Sequence, residues 1–198
     1  MDKAFSTVIG PDDTPYEGGF YTFDFDFSTN YPFVPPKVTY KTTGAQTPQL
    51  TKFIGCNNNA KTVRFNPNLY KCGKVCISFL GTWSGPTWVA CLNIQSMSVS
   101  FRSLLQENPI RNEPGYDKEK VNGPTNILYN YILAHANIRV AVLDMIRNTP
   151  PKYKCFRPNM IQHFLKNYDK YIAFCTKHSL SHWNGTLLKF RVYGWQEY

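Results

Sequence analysis

The chain has 198 residues, of which 42% are hydrophobic and 16% aromatic, enough for a packed core in one domain or in a domain with an extension. Lysine and arginine number 22 against 13 acidic residues, a net charge of +9. No stretch approaches 18 consecutive apolar residues, which excludes a membrane-spanning helix, and no run of five like charges marks a nucleic-acid-binding arm.

The start, Met1-Asp2-Lys3-Ala4-Phe5, has no basic region followed by an apolar run, so no secretory signal is visible. Six cysteines without such a signal read as reduced thiols, placing the chain in cytoplasm or nucleus. Cys72 and Cys76 lie four apart, as do His178 and His182, but no second pair completes zinc-ribbon spacing. The reading therefore calls for no metal and no cofactor.

In chain order, Ala4 to Ile9 and Phe20 to Phe27 predict two strands of a meander, joined by a Pro-, Asp- and Gly-rich turn from Gly10 to Gly19. After Thr22 the second strand alternates aromatic with polar, as a half-buried strand does. Tyr31-Pro32-Phe33-Val34-Pro35-Pro36 is excluded as a central strand because its prolines lack donors. Lys37 to Lys41 resumes strand character, and residues 42 to 60 read as an exposed, Asn-rich loop.

From Asn93 the period becomes helical. Ile94, Met97, Phe101, Leu104 and Leu105 share one face, with Asn108-Pro109 closing the segment. A longer helix is predicted over Asn126 to Arg147, with Ile127, Tyr131, Ile138, Ala141, Val142 and Met145 facing inward and Pro150-Pro151 ending it. A third runs from about Asn159 to Lys177, and Thr186 to Tyr193 reads as a final strand. Strands first and helices later give an α+β fold: an antiparallel meander followed by helices.

The chemistry concentrates at Asn66-Pro67-Asn68 and Gly73-Lys74-Val75-Cys76, followed by Leu80-Gly81-Thr82-Trp83. Taken alone, the tripeptide is an ordinary turn and Cys76 a buried core cysteine. Taken together, they set a thiol at fixed distance from an amide that can donate to an oxyanion. No Asp, Glu or His lies within five residues of Cys76, so a cysteine hydrolase has no local base, although His135 or His163 can approach in space. Exchange between two near-equal thioesters needs positioning more than basic help, which favours a thioester-carrying transferase.

Three motifs in order carry a resemblance. Gly10-Pro11-x-x-Thr14-x-Tyr16-Glu17-Gly18-Gly19, then Tyr31-Pro32-Phe33-x-Pro35-Pro36-Lys37-Val38, then Asn66-Pro67-Asn68 with Cys76 ten residues after Asn66 resemble the ubiquitin-conjugating enzyme family. Gly73 to Cys76, Leu80 to Pro86 and Glu107-Asn108-Pro109 through Gly115 resemble its large Z-type and giant inhibitor-of-apoptosis subgroup, and Ile138 to Val142 and Phe164 to Tyr171 extend the Z-type likeness past residue 170. Asn66 stands where most of the family has histidine, and the Z-type members share that change.

The resemblance implies the family fold, with 1–122 as catalytic core and 123–198 as helices and extension packed on it. It also implies that the family's N-terminal helix and first strand are missing before Gly10. By position, Cys76 would carry ubiquitin, or a related modifier, as a thioester, and Asn68 would support the loop and the oxyanion. Glu113 would orient an incoming lysine, and Ser78 stands where many relatives have an acidic gate. Pro32, Phe33, Trp83, Ser84 and Pro86 fall near ligase-facing loops, with core packing the default for Phe33 and Trp83. The implied partners are the modifier, its activating enzyme, a ligase and a protein substrate. The alternative is a scaffold of the same fold that binds ubiquitin without the chemistry.

Overall fold

A computed structural model describes residues 2–44 and 63–178. Strands β1 (Lys3–Ile9), β2 (Phe20–Asp26) and β3 (Lys37–Tyr40) form an antiparallel sheet in that order. Lys3 faces Asp26 and Ile9 faces Phe20 across the first pair; Phe23 faces Tyr40 and Asp26 faces Lys37 across the second. The meander is as the sequence predicts. The proposed strand at Thr186 to Tyr193 and most of the 42–60 loop lie outside the described residues.

Strand β2 is covered on both faces, not one. Tyr21, Phe23 and Phe25 point into the main core with Phe65, Leu69, Met97, Phe101 and Leu105. Side chains alternate along a strand, so Phe20, Thr22 and Asp24 point the other way. There Phe20 joins Val142, Met145, Met160 and Tyr171 in a second cluster. Asp24 pairs with Lys152 at 2.8 Å and accepts from the Tyr153 hydroxyl at 2.6 Å. Polar residues on a strand thus do not imply a wet face when later helices bring partners for them. The start of the expected exposed loop is buried too. The Thr42 hydroxyl accepts from the Thr22 amide at 2.9 Å and donates to the Phe20 carbonyl at 3.0 Å, extending the sheet beyond β3.

Helix α1 (Ile94–Leu104) begins at a reciprocal cap. The Asn93 side chain accepts from the Ser96 amide, and the Ser96 hydroxyl accepts from the Asn93 amide. Its buried face sets Phe101 against Phe23, centroids 4.5 Å apart. The helix stops at Leu104, short of Asn108-Pro109, which instead opens a 3₁₀ turn over Pro109–Asn112. Its freed Leu104 carbonyl is taken by the Asn66 side chain at 2.7 Å.

The long helix predicted over 126–147 is found as α2 (Pro124–Ala136), a π-helical stretch (Asn137–Asp144) and a last turn, α3 (Met145–Arg147). Its inward residues are Tyr129, Leu133, Asn137, Val140, Ala141, Val142 and Met145, whereas Ile127 is exposed. The wider π turn lets Val140 and Ala141 enter the main core while Val142 and Met145 enter the second. Asn137, buried within it, accepts from the Tyr21 hydroxyl at 2.6 Å and donates to the Glu17 carbonyl at 2.9 Å. Gly19 makes room for it: a Cβ there would stand 2.0 Å from the Asn137 Oδ1.

Past Pro150, a 3₁₀ segment (Pro151–Phe156) leads into α4 (Arg157–Lys166) and α5 (Tyr168–Lys177). The single third helix of the sequence reading is broken at Asn167, whose amide and side chain both donate to the His163 carbonyl. The break turns Tyr171 back so that its hydroxyl donates to the Gly18 carbonyl at 2.8 Å. Among the described residues no helix is long and apolar enough to cross a membrane.

Candidate active site

Gly73, with φ +88°, turns the chain so that Tyr70 and Lys74 pair and the Gly73 carbonyl accepts from the Tyr40 amide at 2.8 Å. The thiol-bearing segment is thereby docked on β3; Thr39 and Lys74 form an isolated bridge. A Cβ on Gly73 would meet the Tyr40 carbonyl at 2.7 Å, so both backbone angle and space require glycine. On the far side, the Thr82 hydroxyl accepts from the Ile77 amide at 2.9 Å and donates to the Val75 carbonyl at 2.8 Å. Cys76 sits between these two anchors.

Asn68 grips Cys76 at both backbone polar groups. The Cys76 amide donates to the Asn68 carbonyl at 2.8 Å, and the Asn68 Nδ2 donates to the Cys76 carbonyl at 2.8 Å. Asn66, fully buried, holds Asn68 in turn: its Oδ1 accepts from the Asn68 amide at 2.9 Å. Its Nδ2 donates to the Leu104 carbonyl at 2.7 Å and to the Tyr16 hydroxyl at 3.3 Å. The side chain at 66 is a structural tie between the turn, α1 and the Tyr16 loop.

An open depression of about 590 Å³ collects Asn68, Ser78, Trp83 and Glu113, with Ile77, Leu104 and Asp117 among its other walls. Ser78 opens a 3₁₀ turn (Ser78–Leu80) and lies half-buried under Gly85. Glu113 is not a free carboxylate. It pairs with Arg64 at 3.2 Å, the side chains being 13% and 9% exposed. Asp117, which the sequence reading did not single out, is exposed on the same depression. Its only sequence signal is its place four residues past Glu113.

Cys76 is 2% exposed. The nearby Tyr70 phenol is pushed up by burial first, opposed by the Arg64 charge, and raised further by Cys76. No histidine lines the depression. His163 lies instead against Phe20, centroids 5.8 Å apart, and His135 neighbours His178, so neither forms a dyad with Cys76.

Among the expected partner loops, Phe33 is 84% exposed, contrary to the expectation that it packs in the core. The chain at 31–33 is held instead by Tyr31 and Trp88: the Trp88 Nε1 donates to the Pro32 carbonyl at 2.7 Å and the Tyr31 hydroxyl to the Leu92 carbonyl at 3.3 Å. Trp83 is 41% exposed rather than core, and Ser84 and Pro86 are exposed beside it.

The family model described as Ubiquitin-conjugating enzyme matches residues 1–131. The chain is 44% identical over 175 residues to human Ubiquitin-conjugating enzyme E2 Z, covering 88% of this chain and 45% of that protein. It is 41% identical to the zebrafish (Danio rerio) E2 Z over the same share of this chain and 48% of the relative. Human Dual E2 ubiquitin-conjugating enzyme/E3 ubiquitin-protein ligase BIRC6 is 36% identical over 85% of this chain and 3% of its own length. The chain thus spans less than half the length of these E2 Z relatives. On the extent of these matches, and with the meander, helices and thiol-bearing loop in place, the chain belongs to the ubiquitin-conjugating enzyme family.

Proposed function

We propose that this chain accepts ubiquitin, or a ubiquitin-like modifier, from an activating enzyme as a thioester on Cys76 and passes it to a substrate lysine, with a ligase assisting. The observation that carries this reading is the two-point hold on Cys76 by Asn68, a residue that itself lines an open depression. In the first step the Cys76 thiolate attacks the modifier's thioester carbonyl, and the activating enzyme's thiolate leaves. In the second, a lysine amine attacks the Cys76 thioester. Negative charge gathers on the carbonyl oxygen, the amine gives up a proton, and collapse expels the Cys76 thiolate.

One Nδ2 hydrogen of Asn68 is spent on the Cys76 carbonyl, leaving the second for that oxyanion. Glu113 orients the lysine from the wall of the depression while anchored by Arg64, and Ser78 flanks the entrance. Phe33, Pro32, Trp83, Ser84 and Pro86 form the ligase-facing edge, supported by the exposure of two large aromatics on adjacent loops. Residues 1–122 act as catalytic core and 123–198 as an extension that buttresses it, working in cytoplasm or nucleus. A band shifted by one modifier, dependent on activating enzyme and ATP and lost on reduction, tests the assignment; its absence from a folded chain contradicts it. One observation favours a second reading, a ubiquitin-binding scaffold: the Cys76 thiol is covered.

A further inference from the structure

A strand without a neighbour shows a row of unpaired amides and carbonyls. The outer edge of β3 is filled, since the Gly73 carbonyl accepts from the Tyr40 amide and Lys74 bridges Thr39. The outer edge of β1 is not. The Gly10 amide donates to Gly19 and the Phe27 amide to Asp2, so by the alternation of an antiparallel ladder Ala4, Ser6 and Val8 bond to β2. The amides and carbonyls of Lys3, Phe5, Thr7 and Ile9 therefore point away from it. Among the described residues only the Ile9 carbonyl finds a partner on that side, the Arg102 Nε at 3.1 Å. Residues Ala4 to Thr7 are accordingly only half-buried. Alongside runs α1, whose Ser98 hydroxyl donates to that of Ser6 at 2.9 Å, with Val99 next to it 63% exposed.

We propose that residues 186–193, which lie outside the described residues, add to this edge as an antiparallel fourth strand, entering beside Ile9 and running toward Lys3. Their sequence supports the match. Leu188, Phe190 and Val192 have Lys189 and Arg191 between them, the pattern of a strand covered on one face. A strand so patterned needs an edge, and among the described residues β1 offers the open one. The apolar face covers Val99, and Lys189 and Arg191 leave a charged rim that resists further strand addition. The chain is also within reach. Helix α5 begins against the turn after β1, where Lys170 meets Asp12 at 3.1 Å and Tyr171 bonds to Gly18. From Lys170 the helix carries His178 about 12 Å onward. Residues 179–185 extend to about 24 Å, enough to return to Ile9.

The pairing does not depend on the transferase reading, and residue-resolved amide hydrogen exchange on the purified 198-residue chain tests it. In the parent, the amides of Phe5, Thr7 and Ile9 are expected to exchange nearly as slowly as those of Ser6 and Val8, which β2 holds. Phe190→Pro cannot continue a strand ladder. It is expected to speed exchange at Phe5, Thr7 and Ile9 about tenfold or more, with Ser6 and Val8 unchanged.

Fast exchange at Phe5, Thr7 and Ile9 in the parent would overturn the proposal, and so would protection that survives Phe190→Pro. Protection that grows with protein concentration would give the edge to a second copy of the chain and equally overturn it. If Phe190→Pro unfolds the chain and frees Ser6 and Val8 as well, magnetic resonance on the parent decides. Close α-proton contacts from Ser6 or Val8 to residues 186–193 support the proposal, and their absence overturns it.

Discussion

In the proposed reaction, one side chain, Asn68, serves both the resting loop and the oxyanion. Its Nδ2 bond to the Cys76 carbonyl fixes the backbone that carries the thiol, and the same amide keeps a second hydrogen for the proposed oxyanion. Removing one such donor from an acyl-transfer site costs roughly 3 kcal/mol, or about a hundredfold in rate. Asn68→Ala is therefore expected to slow single-turnover discharge to free lysine by about that factor, while thioester formation, which needs less oxyanion help, falls less. Equal loss in both steps would make Asn68 a loop support alone. The bonds that Asn66 and Arg64 make were much less legible at this scale. Their partners Leu104, Tyr16 and Glu113 lie 38, 50 and 49 residues away, and no local spacing announces a bond of that kind. Asn66, Pro67, Asn68 and Cys76 were legible because a turn, a thiol and an amide close together make a pattern of their own.

His178 gives a residue-scale dependence on pH. Burial, with help from Lys177 and His135, pulls its imidazole down from 6.5 to about 4. Above pH 6.5 the ring is neutral in folded and unfolded chain alike, so the group is silent. As pH falls from 6.5 to about 4 the unfolded chain takes up a proton that the folded one refuses, and stability drops through that window. The ring packs on Phe174 at 4.5 Å, at the end of α5. His178→Phe is expected to keep that contact and flatten the fall in melting temperature between pH 7 and pH 5. An unchanged slope would assign the acid sensitivity to other groups.

Among the elements, β2 and the helix over Pro124–Arg147 show where periodicity informs and where it stops. The alternation after Thr22 gave the right strand and the right core face for Phe23 and Phe25, which Tyr21 shares. It also implied a wet opposite face. That face is largely covered instead, because Lys152 and Tyr153, more than 120 residues later, return to Asp24. In the helix, a 3.6-residue period assigned Ile127 inward, whereas the π turn at Asn137–Asp144 shifts the register and serves two cores. The turn is fastened by Asn137 against the backbone at Gly19. Gly19→Ala is expected to destabilise the chain by about 1–3 kcal/mol, since the new Cβ must push Asn137 from its bonds with Tyr21 and Glu17. A melting temperature equal to that of the parent would mean the π turn has slack that the geometry does not show.

At the scale of the molecule, the sheet is a partition with a core on each side, and the helices after residue 123 contribute to both. Phe20 faces the second core, where Met145, Met160 and Tyr171 close over it. Phe20→Ala is expected to cost about 3–5 kcal/mol, the range for truncating a buried aromatic. Because Tyr129, Leu133, Val140 and Ala141 pack in the core that also holds Phe23 and Phe25, urea unfolding is expected as one transition, coincident by fluorescence and far-UV circular dichroism. Two separated transitions would show that the C-terminal helices fold apart from the sheet. The α+β order was readable because strands and helices occupy separate halves. The break at Asn167 was not, since Phe164, Tyr168 and Tyr171 keep a helical spacing across it while Tyr171 turns back to Gly18.

The central claim is that Cys76 carries the modifier, and a charging assay tests it most directly. The chain, activating enzyme, ubiquitin and ATP are incubated, then run with and without reductant, beside Cys76→Ala and Cys76→Ser. The account predicts a band heavier by one ubiquitin that reductant removes, nothing with Cys76→Ala, and a reductant-resistant ester with Cys76→Ser. A folded chain that binds ubiquitin yet yields no such band with any activating enzyme supplied, or one that still charges as Cys76→Ala, would contradict it.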